Sequence, residues 1–253
     1  MSNWKAKRFW TDATARPVAG GWGIWLDERQ VKTPAKAPMV VPSVALATAI
    51  AAEWQAQAGE IDPLSMPLTR AANAAIDKVA AQFDEVAELI AAYGASDLLC
   101  YRAEGPEALA ARQAAAWDPV LDWAEQRFGA PLNRGTGVVP VSQPVASLDA
   151  LAREVRSLSN FTLTALHEFV GLSGSLVLGL AVLHGHLAPQ RAWQISRIDE
   201  SWQAELWGVD EEAAEAAERK AAEFMSAHNF LKLIAASTCM MFPRGAPMSV
   251  CLG

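Results

Sequence analysis

The residues best suited to acid–base chemistry stand side by side at His167 and Glu168, in a strongly apolar stretch. Histidine titrates near neutral pH, and a buried carboxylate beside it would allow the pair to donate and accept protons. A histidine on an apolar helix is more often a core residue whose ring nitrogens are satisfied by hydrogen bonds. The pair therefore defines one hypothesis, a small-molecule enzyme, against a purely structural alternative.

Other motifs that would support catalysis or cofactor binding are incomplete. The segment GLSGS at Gly171 resembles a nucleophile elbow, but Ser175 occupies the position of the closing glycine and no strand precedes it. His184 and His186 have no Asp, Glu or Cys close in sequence to complete a metal site. The segment GGWG at Gly20 lacks the spacing of a dinucleotide loop, and no phosphate-binding motif occurs elsewhere. We therefore expect no enzymatic activity, cofactor, metal or nucleotide.

The composition narrows the class of partner. The chain has 253 residues, of which 52% are hydrophobic, and a formal net charge of -7. Nucleic-acid binders present a basic surface, so nucleic acid is not an expected partner. The cysteines are scattered and form no C-x-x-C pair, which favours a reducing compartment over a disulfide framework. The basic N-terminus has no apolar run behind it, so it does not have the pattern of a secretory signal.

The most apolar segment is FVGLSGSLVLGLAVLHG, which starts at Phe169. It is shorter than the roughly 20 residues that cross a membrane, and glycine and serine interrupt it. We therefore expect a buried central helix, and not an integral membrane protein.

The apolar pattern divides the chain into two parts. Alternation around Trp22, Ile24 and Leu26 predicts a small antiparallel sheet between Lys7 and Val41. Beyond it, the apolar residues recur at helical spacing. The predicted helices cover about 44–57, 68–93, 106–128, 147–158, 160–184, 189–207 and 210–235.

Proline and turn residues refine this α+β prediction. Pro119 should break the helix predicted at 106–128, and Asp118 before it is a suitable N-cap, so we expect two helices at an angle. The loop that follows Gly129 is long for a connection inside a domain. The expected architecture is a small antiparallel-β N-terminal domain (1–95), a larger mainly α-helical domain (96–237) and an irregular tail (238–253).

The segment 189–207 contains three tryptophans, and a helical wheel separates their roles. At 100° per residue, Ile195, Ile198, Trp202 and Leu206 form one stripe that should face the core. Trp202 is therefore predicted to be structural. Trp54 also recurs at helical spacing with other apolar residues of its helix, so we expect it to be mostly buried and structural.

The opposite face of the same predicted helix carries Trp193, Glu200 and Trp207. Gly208 follows at the position of a C′ residue, so the helix should end at Trp207. One interpretation is that a second helix covers this face. The other is a protein-binding patch, because aromatic anchors around a specific charge are typical of interface hot spots.

Five segments of the chain carry a resemblance to a known family. They are VKTPAKAPMVVPS, AIAAEWQAQ, IDPLSMPLTRAANAAID, YRAEGPEALAARQAAAWDPVLDWAEQRFG and SRIDESWQAELWG. Together they resemble the ATP synthase assembly chaperones that bind the alpha subunit of the catalytic head and are called assembly factor 2 in mitochondria. The resemblance covers roughly residues 7–232 in unbroken order, and this chain resembles a bacterial relative that works in the cytoplasm.

The resemblance implies a two-part fold and a chaperone without catalysis that covers the alpha subunit until the beta subunit replaces it. It also implies an acidic functional residue within RIDESWQAELWG, which is either Asp199 or Glu200. The wheel favours Glu200, since Asp199 lies beside the core stripe. The competing hypothesis is a small-molecule enzyme that uses His167 and Glu168 or the loop after Gly129.

Overall fold

The computed structural model describes residues 7–236, in which a small antiparallel sheet precedes a mainly helical region. The predicted α+β fold class is confirmed. The tail predicted from Thr238 lies outside the described residues. The strands are β1 (Ala13–Val18), β2 (Gly21–Leu26), β3 (Arg29–Gln30), β4 (Val40–Val41), β5 (Tyr101–Arg102) and β6 (Gly135–Thr136).

The N-terminal sheet is built around β2, which pairs antiparallel with β1, β3 and β4. Alternation along β2 places Ile24 and Leu26 in the core, as predicted. Asp27 adopts a left-handed conformation with φ of 51° at the turn into β3. Its carboxylate accepts hydrogen bonds from the backbone N–H groups of Thr11 and Asp12. These bonds fix the start of the sheet.

Within residues 7–236, ten α-helices follow the first four strands. Ser43 caps the first of these helices by accepting a hydrogen bond from Leu46 N at 3.0 Å. The segment predicted as one helix at 68–93 is divided by a π-helical turn at Ala75–Val79. The helices are α1 (Val44–Gln55), α2 (Pro67–Ala74), α3 (Phe83–Ala92), α4 (Glu107–Phe128), α5 (Val145–Arg156), α6 (Asn160–Ser173), α7 (Leu176–Leu183), α8 (Pro189–Ser196), α9 (Ile198–Trp207) and α10 (Glu211–Ala235).

The expected break at Pro119 was wrong, because α4 continues through this residue. Pro119 lies on the exposed face, while Trp117 and Val120 beside it are buried and hold the helix against the core. Asp118 does not cap a second helix. It forms ion pairs with Arg102 and with Arg134. The packing of the buried face and these pairs outweigh the loss of one backbone hydrogen bond.

The segment 160–184, which was predicted as one helix, forms two helices, α6 and α7. Gly174 ends α6 in a left-handed conformation with φ of 74°, and Ser175 caps α7. Almost every residue of α7 is buried, as expected for the most apolar segment. No helix within residues 7–236 is both long enough and apolar enough to cross a membrane.

A buried carboxylate at Asp97 holds the start of α7. Asp97 is fully buried and accepts hydrogen bonds from Ser175 Oγ at 2.7 Å and from the backbone N–H groups of Val177 and Leu99 at 3.0 Å each. These donors favour the carboxylate, but burial has the larger effect and raises the pKa of Asp97. One side chain therefore links the turn before β5 to the central helix.

The main hydrophobic cluster extends from Trp10 on the sheet side to Phe230 on α10. The boundary near residue 95 stays a prediction. Trp54 packs against this cluster with its ring 5.4 Å from that of Trp10. It is only partly buried, less than we expected. The loop after Gly129 is ordered by the parallel pairing of β5 with β6.

We predict that replacing Asp97 with Asn removes a pH-dependent component of stability. Because the folded-state pKa is raised above the ordinary value of 3.8, this component is fully present below that value and is lost as pH rises through the raised pKa. The wild-type advantage in free energy of unfolding over Asp97→Asn should therefore shrink across this window. Urea unfolding of both proteins at several pH values measures it. An advantage that stays constant or grows would contradict the prediction.

Candidate functional site

The segment 189–207 is not one helix, as predicted, but two helices that meet at Arg197, where φ is -113° and ψ is 24°. Two backbone carbonyls near the end of α8 accept side-chain donors. Ile195 O accepts from the indole N–H of Trp117 at 2.8 Å, and Trp193 O accepts from Ser196 Oγ at 2.8 Å. Both bonds compete with the regular helical ladder, so α8 ends here. The helical wheel therefore holds within α9 but not across Arg197.

One face of α9 lies against α4. Ile198 is buried on this face, and Trp202 is partly buried against the core. Asp199 is partly buried and accepts a hydrogen bond of 2.5 Å from Gln113 Nε2. Gln113 is itself buried and also accepts from Ala103 N. Asp199 thus fastens α9 to α4, as its place beside the core stripe suggested.

The core stripe does not extend to the end of α9. Leu206 was predicted to be buried, but 58% of it is exposed. The prediction of a buried apolar stripe assumes that the surface against which α9 packs extends along the whole helix. Leu206 lies in the last turn of α9, together with the exposed residues Trp207 and Gly208. The apolar contact has already ended there.

The opposite face of α9 carries Glu200 and Trp207, which are seven residues or about two turns apart. The Glu200 side chain is 54% exposed and Trp207 is 85% exposed. No second helix covers either residue within the described part of the chain. The predicted outward orientation of these two residues agrees with the structure.

Trp193 differs from its prediction, because it is partly buried and does not stand free on the outer face. Its ring packs 5.7 Å from that of Phe224 on α10, and the guanidinium of Arg197 lies over it at 5.5 Å from the centroid. The break at Arg197 explains the difference, since it rotates α8 relative to α9. Trp193 nevertheless lines the same cavity as Glu200 and Trp207.

This cavity is an open groove of about 1120 Å³. Its walls come from α9 and from the first half of α10, with further lining residues from α4 and α8. The α10 wall is smooth because alanines form it. They are Ala213, Ala214 and Ala217. The groove therefore combines aromatic side chains, small apolar side chains and a few charges, a composition suited to holding a protein segment.

Two ion pairs set the charge of the groove. Arg197 Nη2 lies 2.7 Å from Glu200 Oε1, and Arg112 Nη1 lies 2.8 Å from both oxygens of Glu205. The hydrogen bond from Arg112 lowers the pKa of Glu205. Both pairs are solvent-exposed to a large extent, so each contributes little to folding stability.

The alternative site at His167 and Glu168 lies on the surface of α6 and not in the core. His167 Nδ1 is 3.5 Å from Glu168 Oε1, and about half of each side chain is exposed. The hydrogen bond to Glu168 raises the pKa of His167, while partial burial opposes this change. Neither residue lines the groove. Residues 7–236 also contain no group of three or more His, Cys, Asp or Glu placed to hold a metal.

Three polar residues of this region were missed from the sequence: Arg197, Arg112 and Gln113. The spacing of Arg197 to Glu200 is i to i+3, which is an ion-pair spacing on a helix and was available in the sequence. The contacts of Arg112 and Gln113 join residues 93 and 86 positions apart. No local pattern predicts such contacts.

A family model, a curated relative and a solved structure similar to this chain all carry the ATP12 name. A sequence model described as ATP12 chaperone protein matches residues 7–125. The crystal structure of Atp12 from Paracoccus denitrificans is 51% identical, covers 90% of this chain and 98% of its own, and superimposes with a TM-score of 0.88. The Atu1473 protein of Agrobacterium tumefaciens is 43% identical over 90% of this chain and 86% of its own, with a TM-score of 0.86. The mitochondrial protein atp12 of Schizosaccharomyces pombe is 24% identical over 83% of this chain and 76% of its own.

We predict that the neighbouring carboxylates differ in their contribution to folding. Asp199→Ala leaves the buried amide of Gln113 without an acceptor, and we expect the free energy of unfolding to fall by about 1–3 kcal/mol. Glu200→Ala removes a largely exposed ion pair and should change it by no more than about 1 kcal/mol. Denaturant unfolding followed by circular dichroism measures both values. Equal losses, or a larger loss for Glu200→Ala, would contradict the assignment.

Proposed function

The chain belongs to the ATP12 chaperone family, and from this premise we propose that it binds the unassembled alpha subunit of the ATP synthase catalytic head and shields its beta-facing surface. Family membership makes the protein a chaperone of ATP synthase assembly. The identity of the client and the place where it binds are the proposal.

The observation that carries the proposal is the groove between α9 and α10, and above all the exposure of Trp207 at its rim. A tryptophan that is 85% exposed makes almost no contribution to the packing of residues 7–236. Tryptophan is enriched among the residues that dominate binding energy at protein interfaces. Leu206 and Val209, which are 58% and 69% exposed, extend the apolar surface around it. We assign this surface to the client.

Glu200 supplies the specific charge within this apolar surface. Its carboxylate lies in the groove between the aromatic residues Trp193 and Trp207, and more than half of the side chain is exposed. A carboxylate at a partly desolvated contact selects a partner with a basic group and disfavours one with an acidic group. We therefore assign the client contact to Glu200. Asp199 holds α9 in place by its bond to Gln113.

The proposed role is binding without catalysis. An unassembled subunit exposes an apolar surface meant for its neighbour, and such surfaces promote aggregation. An open groove with a few anchors can cover part of that surface and release it when the final partner arrives. The surface position of His167 and Glu168 gives no support to the enzyme hypothesis. The proposal includes a cytoplasmic site of action, which the likeness to bacterial proteins supports.

The first test of the client assignment is Glu200→Lys, which would place two like charges together at the contact. We expect the affinity for purified alpha subunit to fall by about 30-fold or more, which corresponds to roughly 2 kcal/mol. The matched control is Glu88→Lys, an exposed glutamate on α3 that should leave binding unchanged. Calorimetric titration and the fraction of alpha subunit kept soluble measure the effect. Normal binding by a folded Glu200→Lys protein would refute the assignment.

The second test removes the aromatic anchor. Trp207→Ala should leave the melting temperature unchanged, because the indole contacts mostly solvent, and should weaken binding of alpha subunit at least tenfold. Phe9→Ala is the control, since Phe9 is another aromatic residue with 61% exposure but lies next to the N-terminal sheet. If both variants bind alike, Trp207 is not an anchor.

A further inference from the structure

Glu200 is not a free carboxylate in the groove. Its Oε1 atom lies 2.7 Å from the guanidinium of Arg197, and the same guanidinium lies over the ring of Trp193 at 5.5 Å from the centroid. A cation is thus held between an aromatic face and a carboxylate, and all three side chains line the groove. This arrangement is the usual way in which a protein surface recognises a basic side chain.

The other half of the groove offers the same pair of groups without a cation. Trp207 lies on the opposite side of Glu200, about 10 Å further along α9, and is 85% exposed. Within residues 7–236, no guanidinium or ammonium group lies over its ring, and Glu200 Oε2 accepts no hydrogen bond from a side chain. Glu200 is therefore flanked by two tryptophans, and only the Trp193 side is filled.

On the premise that this groove binds the alpha subunit, we propose that Arg197 holds the place of a basic side chain of the client. An arginine or lysine of the client lies against Trp207 and takes the carboxylate of Glu200 from Arg197. Arg197 remains over Trp193 and turns its guanidinium toward solvent. Arg197 is thus a specificity-determining residue, because it competes with the client for Glu200 and only a cation can replace it.

The charges around Glu200 favour a basic client group over an acidic one. The cations that face the groove are Arg112, Arg191 and Arg197. Arg112 is neutralised by both oxygens of Glu205, and the Arg197 side chain is only 27% exposed, half the exposure of Glu200. The carboxylate is therefore the more accessible member of the pair. An acidic client group would instead bind Arg197. Removing the charge of Arg197 should therefore strengthen the binding of a basic client group and weaken the binding of an acidic one.

The exchange has a small energetic cost, which suits a chaperone that must release its client. An exposed ion pair contributes little, so replacing one guanidinium by another changes the free energy of binding only slightly. Removing the internal competitor should therefore strengthen binding by a limited factor. We expect a two- to fivefold gain in affinity, of which the upper value corresponds to about 1 kcal/mol.

The decisive variant is Arg197→Met, which keeps an aliphatic side chain over Trp193 and removes the charge. Purified alpha subunit should bind it about two- to fivefold more tightly than it binds the wild type. Arg219→Met is the matched control. It changes the net charge equally and frees Glu215 on α10, outside the groove. If both variants gain equally, the effect is one of net charge and the proposal fails; if Arg197→Met binds more weakly or equally well, Arg197 is no competitor.

A double-mutant cycle tests the coupling to Glu200 directly. In a Glu200→Gln background, Arg197→Met should no longer increase affinity, because there is no carboxylate to release. A gain that persists in this background would overturn the proposal. If Arg197→Met is insoluble, Arg197→Gln replaces it in the same cycle. Failure of the wild-type protein to bind alpha subunit would instead refute the proposed function, so the two failures are distinguishable.

Discussion

The hydrogen bond from the indole of Trp117 to the carbonyl of Ile195 is the interaction on which the groove depends. Trp117 is buried in the middle of α4, so its N–H must find an acceptor inside the protein. It donates to a carbonyl oxygen that would accept a backbone hydrogen bond if the helix continued. Together with the bond from Ser196 to Trp193, this ends α8 and allows α9 to leave in a new direction. A core residue thereby determines the shape of a surface site.

The new direction of α9 explains why adjacent carboxylates differ so much. Asp199 and Glu200 are about 100° apart around the helix, so when one points toward α4 the other points away from it. Asp199 meets the buried amide of Gln113, whereas Glu200 reaches the groove and Arg197. The chemistry of the two side chains is nearly the same. Their surroundings alone separate a residue that holds the fold from one that is free to contact a partner.

Local patterns predicted the parts of the structure that depend on local physics. Alternation predicted the sheet around Ile24, Ser43 was a suitable cap for α1, and the wheel separated the faces of α9 correctly except at Leu206 in its last turn. The errors came from long-range contacts. Pro119 does not break α4 because distant arginines and the buried neighbours of the proline hold the helix together, and Trp193 is partly buried because α10 packs against it. Gly174 ends α6 and Ser175 caps α7, and both residue types are typical of these positions. The continuous apolar pattern around them nevertheless led to the prediction of a single helix.

The polarity of the groove fits a partner that must leave as well as arrive. Its α10 wall consists of alanines, which offer contact area but no deep pocket for a large side chain. Two of its arginines are paired in the unbound protein, Arg197 with Glu200 and Arg112 with Glu205, and both pairs lie at the surface. The groove is therefore stable when empty, and binding exchanges one set of exposed contacts for another. On the proposed function, the exposed ring of Trp207 would supply much of the affinity for the client, and a competing subunit would need to displace that anchor to free it.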